Sequence, residues 1–276
     1  MPIFMNKPII IESNQPGPTV VILGGVHGNE TCGVEALKVL QNITIDRGTL
    51  ILIYGNPQAI EQNVRYVEQN LNRMFCDDER LTSELKRSYE YQRSREILPY
   101  LQAADYSLDL HASFTPDSEP FIICESNALA LVQYLPQDRV CYGFTRLEPG
   151  GTDGYMNEQG KVGVCIECGY LADPKSTQSA ILSARLFLQA LGMLPAVNLV
   201  PNKKQFYVEA YGLYYTKTDC FRLARSFQDF ETVQVGETIG YDGDVAVVSR
   251  VKQMILFARN RLAIGAEAFL LVKRTP

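Results

Sequence analysis

The sequence predicts an α/β fold: a mixed central sheet flanked by helices, followed by a small all-β domain at the C-terminal end. Two observations carry this. Up to residue 197, apolar runs of strand length alternate with stretches whose apolar residues recur at helical spacing, the pattern of a mainly parallel or mixed sheet covered by helices. Beyond it, the strand-like runs (205–210, 232–235, 244–251, 254–258, 268–272) are short and separated by turn signals such as Asp242-Gly243, with no convincing helix among them. A chain of 276 residues can bury a full core and hold both parts, so domains of 1–197 and 198–276 are expected.

In order, the first clear strand is 19–24, a β-branched run that breaks at Gly24-Gly25. A helix is expected over 30–41, with Asn29 as its cap. A second strand, 49–54, stops at Gly55-Asn56-Pro57. The polar stretch 63–75 has too little periodicity for a long element and reads as a loop free to present functional side chains. A charged amphipathic helix follows from about Glu79 to Leu101, kinked or ended by Pro99. The third strand, 106–110, terminates in His111-Ala112-Ser113; an apolar piece, 121–124, precedes a short helical stretch near 126–134. The glycine-rich segment 146–160 reads as a loop, 161–167 as a strand, and 176–191 as a helix closed by Gly192 and Pro195.

Composition narrows the function. Hydrophobic content of 46% and charged content of 21% are ordinary for a soluble globular protein. A net charge of -5, with pI ≈ 5.2 and no long basic stripe, argues against nucleic acid as a partner. No run approaches the roughly 20 apolar residues of a membrane span, and residues 1–7 lack a signal-peptide core, so no membrane association and a cytoplasmic location are expected. A homo-oligomer stays open. The seven cysteines, an odd number scattered through apolar runs, fit reduced thiols used as small hydrophobes. Cys165 and Cys168 have C-x-x-C spacing, but on a strand residues three apart face opposite sides and cannot clamp one metal.

The chemistry lies at strand ends. His27 and Glu30 flank a strand-to-helix corner, where an imidazole and a carboxylate three residues apart can bite one cation. His111 and Glu167 follow or end two further apolar strands. In open α/β sheets that edge is where ligands bind, because loops from several strands converge on it. The chain has only two histidines, and both occupy these corners. Two imidazoles and one carboxylate with an open fourth position form a zinc set, and zinc lowers the pKa of water to roughly 7. Glu167, on an otherwise apolar strand, suits a general base whose pKa burial raises; the alternative is a carboxylate that caps a helix or pairs with an arginine. Arg65, Asn72 and Arg73 share one loop and could grip a carboxylate or an oxyanion, or equally lie solvated on the surface.

Together, G-G-V-H-G-N-E (24–30), V-R-Y and N-L-N-R (64–73), D-L-H (109–111) and I-E-x-G (166–169) resemble, in this order, the succinylglutamate desuccinylase/aspartoacylase family. Those are zinc hydrolases with a zinc-carboxypeptidase-like fold, and the resemblance covers the first 200 residues. It implies one zinc ion per chain on His27, Glu30 and His111, with Glu167 as the base. It further implies that Arg65 polarises the scissile carbonyl, and that Asn72 and Arg73 grip the carboxylate of a small-molecule substrate. Asp109 could orient a neighbouring ligand.

One departure bears on the substrate. Aspartoacylases use a further arginine about ten residues before the base for the acidic side of the substrate, but Asn157 stands there and no Arg or Lys occurs from Leu147 to Gly160. Either Arg146, Lys161 or a residue of the β domain takes its place, or the acyl group is not acidic. The expected activity is a zinc-dependent deacylase cleaving the amide of a small N-acyl amino acid. Alternatives are a zinc carboxypeptidase acting on peptides, an esterase or amidase on substrates without a second carboxylate, and a metal-binding protein without activity.

Overall fold

The computed structural model describes residues 6–197 and 199–275. Its centre is an eleven-stranded sheet. The strands β1 (Ile9–Glu12), β2 (Thr19–Gly24) and β3 (Thr49–Tyr54) lie with β4 (Tyr106–Ser113), β5 (Phe121–Cys124), β6 (Arg139–Tyr142) and β7 (Val162–Tyr170) in the order β1-β3-β2-β4-β7-β5-β6. Strands β3, β2, β4 and β7 run parallel, so their carboxyl ends share one rim. Alternation along β2 shows why helices cover both faces. Val20 and Ile22 pack with the helices α1 (Thr31–Leu40) and α7 (Lys175–Ala190), whereas Val21 and Leu23 face Ile97 and Leu101 of α3 (Tyr89–Ala103).

The chain after α7 is all strand among the described residues, as expected. Strand β8 (Phe206–Tyr215) pairs parallel with β6, so the C-terminal strands prolong the central sheet through β14 (Glu267–Arg274), β13 (Gln253–Leu256) and β10 (Glu231–Val233). A separate three-stranded sheet joins β9 (Phe221–Leu223), β11 (Thr238–Asp242) and β12 (Val245–Val248). Cys165 and Cys168 do fall in clusters on opposite faces of β7, each buried.

Several elements differ from expectation. Helix α1 begins at Thr31, and Asn29 does not cap it: the N-cap is Glu30, whose carboxylate is engaged elsewhere. The helix expected from Glu79 begins ten residues later, because Ser88 accepts a hydrogen bond from the Tyr91 N–H and starts it there, and the preceding residues form isolated 3-10 turns. Pro99 does not end that helix, which runs to Ala103 with Leu101 in the core. The expected loop 146–160 contains α6 (Thr152–Glu158), held by burial of Tyr155 and Met156 beneath the sheet. The short helix expected near 126–134 forms as α4 (Leu129–Val132), and short elements that carry no period of their own also form: β1, α2 (Pro57–Gln62), β6 and α5 (Phe144–Leu147).

Candidate metal centre and substrate cavity

The rim of β2, β4 and β7 brings together every residue singled out for chemistry. His27, Glu30, Arg65, Asn72, Arg73, His111 and Glu167 all line one cavity. Gly25, at φ +71, turns the chain out of β2. Gly28 then passes so close to Ala59 that a Cβ would sit 2.1 Å from its carbonyl carbon. His27 is thereby delivered to the rim. His111 and Glu167 lie inside their strands, not beyond them, because β4 and β7 run on to Ser113 and Tyr170; there the two are direct register partners. The loop carrying Arg65 and Asn72 is tied down by buried Glu90, whose carboxylate accepts from the Val67 N–H at 2.7 Å and the Gln69 N–H at 3.0 Å.

Three donors converge. His27 Nδ1 and His111 Nδ1 are 3.2 Å apart, and the Glu30 carboxylate reaches each at 2.9 Å. All three residues are buried, and their ligand atoms lie within 4.8 Å of one another. Tetrahedral zinc holds its ligand atoms about 3.3 Å apart, so the set already has the right span. The outward nitrogens have close neighbours too. His27 Nε2 lies 3.0 Å from Asn70 Oδ1, and His111 Nε2 lies 3.0 Å from Asp109 Oδ2, which also accepts from Thr152 Oγ1 at 2.6 Å. Such partners aim the Nδ1 lone pairs inward.

Electrostatics point the same way. Burial, reinforced by the Arg65 charge, pulls His27 down to about 4, which leaves its imidazole neutral and able to donate a lone pair. Burial opposes a charge on His111 as well, yet Asp109 and Glu30 raise it well above the ordinary range. Two buried carboxylates around that ring call for a cation, a demand that a divalent metal meets. Glu167 is pushed well above the usual carboxylate range, first by burial and then by the Glu30 charge. One of its oxygens, Oε2, is buried without a hydrogen-bond partner.

The substrate side holds two surprises. Arg73 donates through Nε and Nη2 to both oxygens of Glu267, at 3.0 and 2.9 Å, through Nη2 to Glu148 at 2.5 Å, and through Nη1 to the Asn72 carbonyl at 2.8 Å. All but one of its N–H donors are engaged, so gripping a substrate carboxylate would require it to release Glu267 or Glu148. Neither Arg146 nor Lys161 stands in for the arginine absent at Asn157. Arg146 borders a different depression, and Lys161 donates to the Leu101 and Gln102 carbonyls. Asn157 bonds Asn127 and Gly163. Sequence reasoning missed Arg259, Glu148 and Glu267, which line the cavity, and Asn70, which was visible within the N-L-N-R motif.

Both the sequence and the fold resemble known proteins. Residues 16–191 match the family model of the succinylglutamate desuccinylase/aspartoacylase catalytic domain. A mouse protein named N-acyl-aromatic-L-amino acid amidohydrolase (carboxylate-forming) is 32% identical over 206 residues, covering 68% of this chain and 63% of its own length. The chain thus spans under two thirds of that relative. The succinylglutamate desuccinylase of Vibrio cholerae is 23% identical over 273 residues, 92% of this chain and 80% of its own. A crystal structure of the enzyme of that name from Vibrio cholerae superposes with a TM-score of 0.80 at 22% identity, over 97% of this chain and 85% of the other.

Proposed function

The chain belongs to the succinylglutamate desuccinylase/aspartoacylase family, and from that premise we propose that it is a zinc-dependent deacylase hydrolysing the amide bond of a small N-acyl amino acid. The observation that carries this reading is the convergence of His27, Glu30 and His111 beside a buried carboxylate, Glu167, with an unpartnered oxygen. His27, Glu30 and His111 would hold the metal. A zinc ion bound there supplies Lewis acidity toward water and the scissile carbonyl.

The rest is the work of this chain's side chains. Glu167, its proton affinity raised by burial, takes a proton from the attacking water and returns it to the departing nitrogen. Arg65 donates one bond, to Glu30 Oε1 at 2.8 Å, and its remaining N–H groups stabilise the developing oxyanion. The Asn72 side chain, with Oδ1 buried and unpartnered, orients the substrate. Asp109 holds His111 in place through Nε2. The C-terminal segment walls the cavity with Leu213, Phe257 and Phe269, which favours a small substrate over a peptide chain.

Assay of zinc-loaded protein on N-acetyl, N-succinyl and longer N-acyl amino acids tests the reading. Glu167→Gln should keep the metal, by elemental analysis, while kcat falls by roughly 10²–10⁴. Normal turnover by that variant would remove Glu167 from its role.

A further inference from the structure

We propose that Arg259, from the turn between β13 and β14, binds the carboxylate of the substrate, and that this makes the cavity selective for a substrate with one carboxylate group. The proposal rests on the deacylase reading above for the identity of the reacting compound.

Three arginines line the cavity. Arg65 is paired with Glu30, and Arg73 faces two carboxylates, Glu267 and Glu148, so the group around Arg73 carries surplus negative charge or a shared proton. Either way Arg73 has no unmet charge to offer an incoming carboxylate. Arg259 differs. No ion pair joins it to a carboxylate among the described residues, and its Nε is buried without a hydrogen-bond partner. Its guanidinium lies 4.7 Å from the centre of the Phe114 ring. Burial, with the neighbouring Arg65 and Arg261 charges, pulls Arg259 down to about 9 against the weaker opposing pull of Glu267 and Glu148, which still leaves it cationic at neutral pH. A half-buried cation with no ion pair among the described residues is costly, and an anionic ligand relieves that cost.

The backbone is built to present it. Phe257, two residues earlier, sits at φ +54, a conformation that disfavours a bulky side chain. Asp229 holds that turn by accepting from the Phe257 N–H at 3.0 Å, and it also accepts from the hydroxyls of Ser113, Thr115 and Ser118. Ser113 is only two residues beyond the proposed metal ligand His111, so the half-buried Asp229 carboxylate ties the strand of His111 to the turn carrying Arg259. The Phe114, Phe144 and Phe257 rings beside it offer an apolar bed for the rest of the substrate.

The source of the carboxylate is read by four substrates for zinc-loaded protein. N-acetylphenylalanine carries it on the amino-acid side, N-succinylphenylalaninamide on the acyl side, N-succinylphenylalanine on both, and N-acetylphenylalaninamide on neither. The expected result is that one singly charged substrate outperforms the uncharged one, and that the doubly charged one gains nothing more. Arg259→Met should cut that advantage by about 10–100-fold, mainly through KM, and Arg259→Lys should restore part of it. Ligand-free Arg259→Met should melt at or above the parent temperature, whereas an arginine that merely braces the fold would lower it and weaken all four substrates alike. An unchanged advantage in Arg259→Met, with turnover intact, overturns the proposal and leaves the deacylase reading standing. If none of the four is hydrolysed, calorimetry with 3-phenylpropanoate and its amide decides separately. Arg259-dependent preference for the acid upholds the anion site while the deacylase reading falls, and equal binding of both overturns the site.

Discussion

The two ends of the cavity are built on opposite principles. At the proposed metal end each candidate ligand has a neighbour behind it: His27 against Asn70, His111 within 3.0 Å of Asp109, Glu30 against both rings, the Ala112 N–H and Arg65. At the substrate end the bonding is uneven, with Arg73 nearly saturated by Glu148 and Glu267 and Arg259 in no ion pair among the described residues. The difference follows from what each end must do. A reactive centre gains from donors fixed before anything arrives, because reorganisation during the reaction is then avoided. A recognition group must keep an unmet demand that the ligand alone satisfies.

The largest effects should come from breaking the metal end. His111→Ala removes a ligand and leaves Glu30 and Asp109 facing a gap, so metal content measured by elemental analysis should fall to near zero and activity with it. Retained metal and activity would show that the three donors do not act as one site. Next in size, Asp109→Asn keeps all three ligands and alters only the group behind His111. Metal affinity, titrated with a competing chelator, should weaken by about 10–100-fold, the usual cost of losing such a partner. Wild-type affinity in that variant would mean that β4 alone, without the Asp109 contact, orients the ring.

The same contrast explains what could be read from the sequence. His27 and Glu30 stand three residues apart at one corner, and His111 and Glu167 end apolar runs, so local pattern plus the rule that parallel strands share a rim was enough to gather them. The substrate end has no such local signature. Arg259 sits in Phe257-Ala258-Arg259-Asn260-Arg261, an unremarkable basic stretch, and its burial depends on β14 pairing with β8 and on Asp229 holding Phe257. Glu148 and Glu267 are 119 positions apart and meet only across Arg73. Helix α6 escaped for a related reason: its glycines suggested a loop, while the burial of Tyr155 and Met156 that stabilises it is a tertiary effect.

The smallest effect sharpens the comparison most. Glu267→Gln removes one negative charge beside Arg73 but keeps an amide oxygen able to accept from the guanidinium. Burial pushes Glu148 above its ordinary range, against the pull of Arg73. In the variant the Arg73 charge is set against Glu148 alone, and more of it is left to attract an incoming carboxylate. KM for carboxylate substrates should therefore fall by about two- to five-fold, with little change for the matching amides, since partly screened charges interact at around a kcal/mol or less. A rise in KM as steep as that expected for Arg259→Met would instead show that Glu267 holds Arg73 ready as the gripping cation, and the two arginines would exchange roles.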